Sequence, residues 1–170
     1  DLHMADAGER KQHLYELLKD FDTAMLVTRS ADGQMHGRPM AVAQLKADAD
    51  AYFVSGLDTP KVAEIERDPN VTLTFQSARQ FASVCGRVSI ARDQALIDRL
   101  WKESWKVWFP RGKTDSSITM LKFDAEHAEY WDNAGAQGLK YAFKAAAAYM
   151  SGDKPKPDLK QHAHVELKAG

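Results

Sequence analysis

The stretch AMLVTRSADGQMHGRPMAV, residues 24–42, decides the fold that the sequence predicts. Two apolar runs flank the pair Asp32 and Gly33, which favours a tight hairpin turn. The second run contains Arg38 and Pro39, which are unusual residues inside a strand. Proline cannot donate to a strand ladder, so Pro39 indicates a sheet edge or a bulge where backbone groups are free to meet a ligand.

Strand alternation places Arg38 on the same face as Met40 and Val42, and Pro39 on the opposite face. A guanidinium among apolar neighbours needs an anionic or acceptor partner, because an unpaired buried charge is very costly. The partner is either a bound ligand or one of the protein's own carboxylates, and this stretch favours the two equally. The neighbouring Gly37 would let a ligand approach the backbone closely.

Other segments extend this pattern of hairpins with helices between them. Apolar runs predict further strands at residues 51–56, 71–77, 81–91 and 117–132, with a short strand near the C-terminus. Helical spacing and capping signals predict helices at residues 9–21, 92–109 and 138–151, with a short one that begins at Thr59 and Pro60. The order is typical of an α+β fold around an antiparallel sheet that curls into a barrel. Residues 153–158, DKPKPD, are predicted to be a linker.

The chain has 170 residues and a net charge of −1, which suit one domain. Residues 10–170 are expected to form that domain and residues 1–9 a flexible N-terminus, of which the part ahead of Met4 is a candidate cloning remnant. No segment approaches the roughly 18 consecutive apolar residues of a membrane span. The net charge of −1 gives no excess of positive charge that would indicate binding of a nucleic-acid backbone. The single Cys85 excludes an internal disulfide and favours a cytoplasmic location.

The stretch SGLDTPK, residues 55–61, combines a strand end, a glycine and the start of a helix. Free N–H groups at a helix start, the side chain of Lys61 and the hydroxyls of Ser55 and Thr59 together suit a phosphate dianion. Thr-Pro at this position is more often only a helix cap. The stretch by itself is therefore a weak signal for a phosphate site.

The aromatic residues of the predicted helix at 92–109 have two interpretations. Trp101, Trp105 and Trp108 have the spacing of one helical stripe. Core or dimer packing is the favoured interpretation for the first two. Trp108 and Phe109, just before a Pro and a Gly, are candidates for a lid over a ligand.

Two histidines near the C-terminus, His162 and His164, fall on one face of the predicted terminal strand. They could bind a metal ion, but no third ligand lies nearby in the sequence. A solvated strand is the favoured interpretation, and no metal site is predicted.

Taken together, the motifs resemble the FMN-binding split barrel of the pyridoxamine 5'-phosphate oxidase-like superfamily, and the whole chain looks like its bacterial general stress protein branch. The match depends on the order of the motifs and covers nearly everything after residue 9. The segments that carry it are MLVTRSADGQMHGRPM, YFVSGLDTPKVAEIERDPNVTLTF, SVCGRVSIARD, LWKESWKVWFPRGKTDSSITMLKF, AEYWD and AYMSGDKPKPDLKQHAHVEL.

The resemblance implies an α+β fold, an antiparallel six-stranded split β-barrel with flanking helices. It also implies a homodimer that binds FMN, with FAD as a possible substitute, at the interface between the subunits. The cofactor-binding residues that it implies are Arg38, Pro39, Met40, Val54, Ser55, Gly56, Thr59, Lys61, Trp108, Phe109 and Trp131, the last of them reaching the ring from the partner subunit.

This chain also departs from the oxidases of the superfamily. Lys61 matches the lysine of their Ser-Arg-Lys signature, but Thr59 and Pro60 precede it, so one phosphate-binding arginine is missing. Their glutamine before a later strand has no clean counterpart, and no catalytic residue can be named. We therefore expect an FMN-binding protein for stress response, flavin storage or sensing. The alternative is a flavin-dependent oxidoreductase acting on a small molecule, and pyridoxamine phosphate oxidase activity itself is doubtful.

Overall fold

The structure is a computed structural model, and it describes residues 2–154 and 160–168. Seven strands are present in this part of the chain: β1 (Thr23–Arg29), β2 (Met35–Leu45), β3 (Ala51–Gly56), β4 (Asn70–Gln76), β5 (Gln80–Ala91), β6 (Ile118–Asp132) and β7 (His162–Glu166). Four α-helices accompany them: α1 (Leu2–Leu18), α2 (Pro60–Arg67), α3 (Gln94–Leu100) and α4 (Gly135–Ser151). Two 3₁₀ turns lie at Glu103–Val107 and Gly112–Thr114. Most of the predicted linker, from residue 155 onward, lies outside the described residues.

The strands form one antiparallel sheet in the order β3-β2-β1-β4-β5-β6-β7, and β3 also pairs with β6. That pairing closes the first six strands into a barrel, with β7 added beside the second half of β6. The predicted α+β split barrel with flanking helices is thus confirmed. The Asp32-Gly33 turn is present as well, with Gly33 at a φ of 84°.

The barrel interior is filled by the alternate residues that face inward from each strand. Fully buried members include Leu26 of β1, Phe53 of β3, Leu73 of β4 and Phe123 of β6. Helix α1 packs its own apolar residues into the same cluster and lies beside β7. This helix begins at Leu2 and ends at Leu18, so it includes most of the predicted flexible N-terminus and stops before the predicted end at residue 21.

The predicted helix at 92–109 is wrong beyond Leu100. Helix α3 ends there because Trp101 adopts an extended backbone, with φ −51° and ψ 135°. The chain then turns so that Trp105 and Phe109 are buried in a second apolar cluster outside the barrel, with Val54 and Met120. Burial of these large side chains, worth about 1.5–3 kcal/mol each, outweighs the continuation of a regular helix. The predicted helical stripe is therefore absent, but Trp105 is core as expected, and the partly buried Trp101 packs against the same cluster.

Helix α4 ends at Gly152, whose φ of 77° is the left-handed conformation that stops the predicted alanine-rich helix. Several large apolar side chains of this helix are exposed, among them Phe143, Tyr149 and Met150. Among the described residues, no helix has both the length and the apolar character needed to span a bilayer.

A β-bulge interrupts the antiparallel pairing of β5 with β6. The register shifts between Cys85 and Gly86 of β5, which leaves Glu126 of β6 unpaired in the ladder. The backbone carbonyl of Glu126 accepts hydrogen bonds from the N–H groups of Leu167 and Lys168 instead. Gly86 allows the strands to approach closely at this point.

We predict that Gly86→Ala destabilises the barrel. A Cβ at this position would lie 2.2 Å from the carbonyl oxygen of Asp124 and 2.8 Å from the ring of Phe123, both of which are fixed inside the sheet. The free energy of unfolding should fall by about 1–3 kcal/mol or more, measured by urea denaturation. The control is Gly37→Ala, a strand glycine whose nearest contact would be the methyl end of Met25 at 3.4 Å. Equal stability of the two variants would contradict the packing argument.

Candidate functional site

A cleft of about 400 Å³ lies on the outside of the barrel, between two strands, the start of α2 and the segment after the first 3₁₀ turn. This size is within the range of small-molecule pockets in proteins. Its walls are mainly apolar. The residues that line it are Pro39, Met40, Ala41, Val54, Ser55, Gly56, Thr59, Lys61, Trp108 and Phe109.

The cleft opens where β2 and β3 separate. Their ladder ends at the pair Val42 and Phe53. Beyond that pair, residues 39–41 of β2 pair with β1, and residues 54–56 of β3 pair with β6. Two strand edges therefore face each other across a gap, and Pro39 lies at the edge that the sequence predicts for it.

The polar end of the cleft lies where β3 leads into α2. Ser55 is buried, and its hydroxyl donates to the carbonyl of Gly56 at 3.1 Å. Thr59 occupies the N-cap position, but its hydroxyl donates to the same carbonyl at 2.9 Å and makes no capping hydrogen bond. Pro60 has no N–H, and the N–H of Val62 donates to the backbone carbonyl of Thr59 at 3.1 Å. The N–H that Thr59 leaves without a side-chain cap in this first turn is therefore that of Lys61.

Lys61 is the cation of this cleft. Its side chain is half-buried, and among the described residues it makes no hydrogen bond or ion pair. Burial, followed by the positive charge of Arg38, lowers the pKa of Lys61. Both effects disfavour the charged ammonium. An anion bound beside Lys61 would oppose both effects, because it favours the charged form of the lysine.

Arg38 has a partner within the protein. Its Nη2 lies 3.2 Å from Oε2 of Glu64 in α2, and its Nη1 donates to the hydroxyl of Thr28 and, at 3.3 Å, to the carbonyl of Leu26. The hydroxyl of Thr28, followed by Arg38, lowers the pKa of Glu64. Of the two partners that the sequence leaves open, a carboxylate of the protein itself is present. Arg38 does not line the cleft, so its direct contact with a ligand stays a prediction.

The structure brings together nine of the eleven predicted site residues around this one cleft. Phe109 is buried in the outer apolar cluster, whereas Trp108 is 58% exposed at the cleft mouth. Trp131 lies elsewhere, near the end of β6, where its ring stacks on His162. Its approach to a ligand from a partner subunit is therefore not visible in a single chain and also stays a prediction.

Sequence reasoning missed two residues. Ala41 lines the cleft, and strand alternation from Pro39 was the available signal. Glu64 neutralises Arg38, although it lies 26 residues further along the chain. Its position three residues after Lys61 places both on one face of α2, which was the only local indication.

The chain matches the family described as pyridoxamine 5'-phosphate oxidase like over residues 9–156. No curated protein is similar enough in sequence to count as a match. Among solved structures, a general stress FMN/FAD binding protein from Xanthomonas citri is 31% identical, with 76% of this chain and 92% of that chain covered and a TM-score of 0.64. A general stress family protein from Xanthomonas campestris is 30% identical, with 76% and 90% covered and a TM-score of 0.63.

The fold similarity extends further. A protein described as general stress protein 26 from Jannaschia sp. is 20% identical, yet 94% of this chain and 99% of that chain superimpose with a TM-score of 0.72. The fold similarity and the family match agree with one another. This chain belongs to the pyridoxamine 5'-phosphate oxidase-like family, in its general stress protein branch.

Proposed function

We propose that this protein binds FMN in the cleft between β2 and β3 and serves in flavin storage, sensing or a stress response. The observation that carries the proposal is Lys61, a half-buried cation without an anionic partner in the described part of the chain, at the N-terminal end of α2. A phosphate dianion would neutralise the ammonium and accept a hydrogen bond from the backbone N–H of Lys61 at the helix start. The similar Xanthomonas citri protein is described as FMN/FAD binding, which agrees with this assignment.

The rest of the cleft suits a flat aromatic ring. The strand edges at residues 39–41 and 54–56 present backbone groups and small or apolar side chains. Backbone N–H and C=O groups at such edges can pair with the polar rim of an isoalloxazine. Trp108 at the mouth could stack on the ring as a lid. Because the cleft is open there, FAD could bind with its adenylate outside, so FMN is the proposed ligand and FAD the possible substitute.

A binding role is favoured over catalysis by the chemistry of the lining. Among the described residues that line the cleft, none is a histidine, an acid, a cysteine or a tyrosine. The only titratable group there is Lys61, which the phosphate would engage. The alternative is a flavin-dependent oxidoreductase in which the flavin supplies the redox chemistry and the protein orients it.

We further propose that the protein is a homodimer with the flavin at the interface. Trp108 and the neighbouring Val107, which is 75% exposed, form an apolar patch beside the cleft. Contiguous exposed apolar side chains of this kind mark candidate contact surfaces. A second subunit covering this patch would also close the cleft over its ligand.

The first test is titration of the apo-protein with FMN, FAD and riboflavin, followed by flavin and tryptophan fluorescence. We expect saturable binding of one flavin per chain, with quenching by Trp108 and with weaker binding of riboflavin, which lacks the phosphate. Absence of binding by all three flavins would overturn the proposal. Turnover of NAD(P)H above that of free FMN would instead favour the oxidoreductase.

A sharper prediction concerns the phosphate. Lys61→Met should weaken FMN about 10- to 100-fold, because a charge-assisted hydrogen bond worth about 1.5–3 kcal/mol is lost, and should leave riboflavin affinity unchanged. Stability of the apo-protein should stay equal or rise, since an unpaired half-buried charge is removed. The control is Lys11→Met, an exposed lysine of α1 with the same change of charge. Equal loss of FMN and riboflavin would place the phosphate elsewhere.

We also predict how a charge in the proposed dimer contact changes the oligomeric state. Val107→Asp should shift the protein toward monomer in sedimentation equilibrium and weaken FMN in parallel, because a carboxylate would be buried in the contact. Val107→Thr, which keeps the shape of the side chain without a charge, is the control and should remain dimeric. A wild-type protein that is monomeric while it binds FMN fully would contradict this arrangement.

A further inference from the structure

A second group of potential ligands lies on the β6–β7 pair and shares no residue with the cleft. The side chain of Glu129 on β6 meets those of His162 and His164 on β7. Nε2 of His162 lies 2.7 Å from Oε1 of Glu129, and Nε2 of His164 lies 3.3 Å from the same oxygen. One possible ligand atom from each residue falls within 4.8 Å of the other two.

We propose that this cluster, Glu129 with His162 and His164, binds one divalent transition-metal ion such as Zn²⁺ or Ni²⁺. Ligand atoms around tetrahedral zinc lie about 2.0–2.2 Å from the ion and hence roughly 3.4 Å from one another. Small side-chain rotations would bring the three groups to that spacing. Two imidazoles and a carboxylate favour zinc, nickel or copper over magnesium and calcium, which take oxygen ligands.

The strand register explains why the three side chains meet. Glu129 is directly opposite His164, and Trp131 is directly opposite His162. The alternate residues Ala163 and Val165 face the other way and are buried in the barrel core. Because the backbone on both strands is held by this packing, the ligands project from a rigid element.

The surroundings suit an open site. The side chains of Glu129 and His162 are half-buried, whereas that of His164 is 74% exposed. An ion could enter from solvent and keep water in its remaining coordination positions. The ring of His162 is stacked on that of Trp131, with 5.2 Å between centroids and 15° between planes, which restrains its orientation.

The sequence favours a solvated strand because it shows only the two histidines. Glu129 lies 33 residues before His162, and only the pairing of β6 with β7 brings it close. A surface cluster in which one carboxylate merely accepts from two imidazoles would contribute little to stability. Metal binding would instead join β7 to β6 and stabilise the folded chain by mass action.

The test is calorimetric titration of the chelator-treated full chain with Zn²⁺. We expect one ion per chain, and His164→Gln or Glu129→Gln should weaken binding about tenfold or more. The control is His36→Gln, a surface histidine beside a single carboxylate, Glu64, at 3.4 Å, which should bind Zn²⁺ as the unmodified chain does. Absence of saturable binding, or equal affinity in all variants, would overturn the proposal.

A second measurement distinguishes the loss of a metal ligand from a general loss of folding in the variants. Ni²⁺ quenches tryptophan fluorescence at short range, so it should quench the emission of Trp131 in the wild type. The quenching of Trp131 should be absent in Trp131→Phe, which lacks the fluorophore, and in His162→Gln, which lacks a ligand. In thermal unfolding, Zn²⁺ should raise the melting temperature of the wild type and of Trp131→Phe but not that of His162→Gln. Quenching that persists in Trp131→Phe would place the ion at another site. Neither readout depends on flavin, so the result of this test does not depend on whether the cleft binds FMN.

Discussion

The pairing of β3 with β6 is the constraint on which the rest of the structure depends. Six consecutive residue pairs join the strands, from Ala51 opposite Phe123 to Gly56 opposite Ile118. This contact turns an open sheet into a barrel and removes two exposed strand edges. It also draws the end of β3 away from β2, so the gap that becomes the cleft is a direct consequence of closure.

The same pairing shapes the other end of the molecule. Strand β6 has 15 residues, and β3 occupies only its first part, Ile118 to Phe123. The remaining edge, residues 127–131, would be exposed if β7 did not pair with it. The bulge at Glu126 separates the two halves and anchors the residues after β7. Barrel closure at the first part of β6 therefore leaves its second part free to pair with β7, which carries the histidines.

Charge is distributed unequally around the cleft, and this difference has a physical origin. Arg38 projects toward the barrel side of β2, where Thr28 is fully buried, so its charge must be compensated inside the protein. Glu64 supplies that compensation, because an unpaired charge there would be costly. Lys61, one turn earlier on α2, faces the cleft and has no charged partner within residues 2–154 and 160–168. The protein thus supplies a carboxylate partner for Arg38 and supplies none for Lys61 among the described residues.

Local patterns in the sequence predicted most of the sheet. The bounds of β2 and β3 follow from the Asp32-Gly33 turn and from alternation, and the alternation also placed Arg38 on the same face as Met40. These signals involve residues that are close in the sequence, so they can be recognised without knowledge of the fold. The end of α3 at Leu100 was not predictable in this way, because it depends on where Trp105 and Phe109 find a core to enter.

Contacts between distant segments explain the remaining omissions. Glu64 reaches Arg38 across 26 residues, and Glu129 reaches His162 across 33 residues. The spacing of these residues in the sequence predicts neither pair. The first depends on how α2 packs against the barrel, and the second depends on the register of β6 and β7. A similar argument applies to Trp108 and Val107, which follow a buried Trp105 yet are themselves exposed. Their apolar surface has no place in the core of one chain, which is why the proposed second subunit accounts for the lid and for the open side of the cleft together.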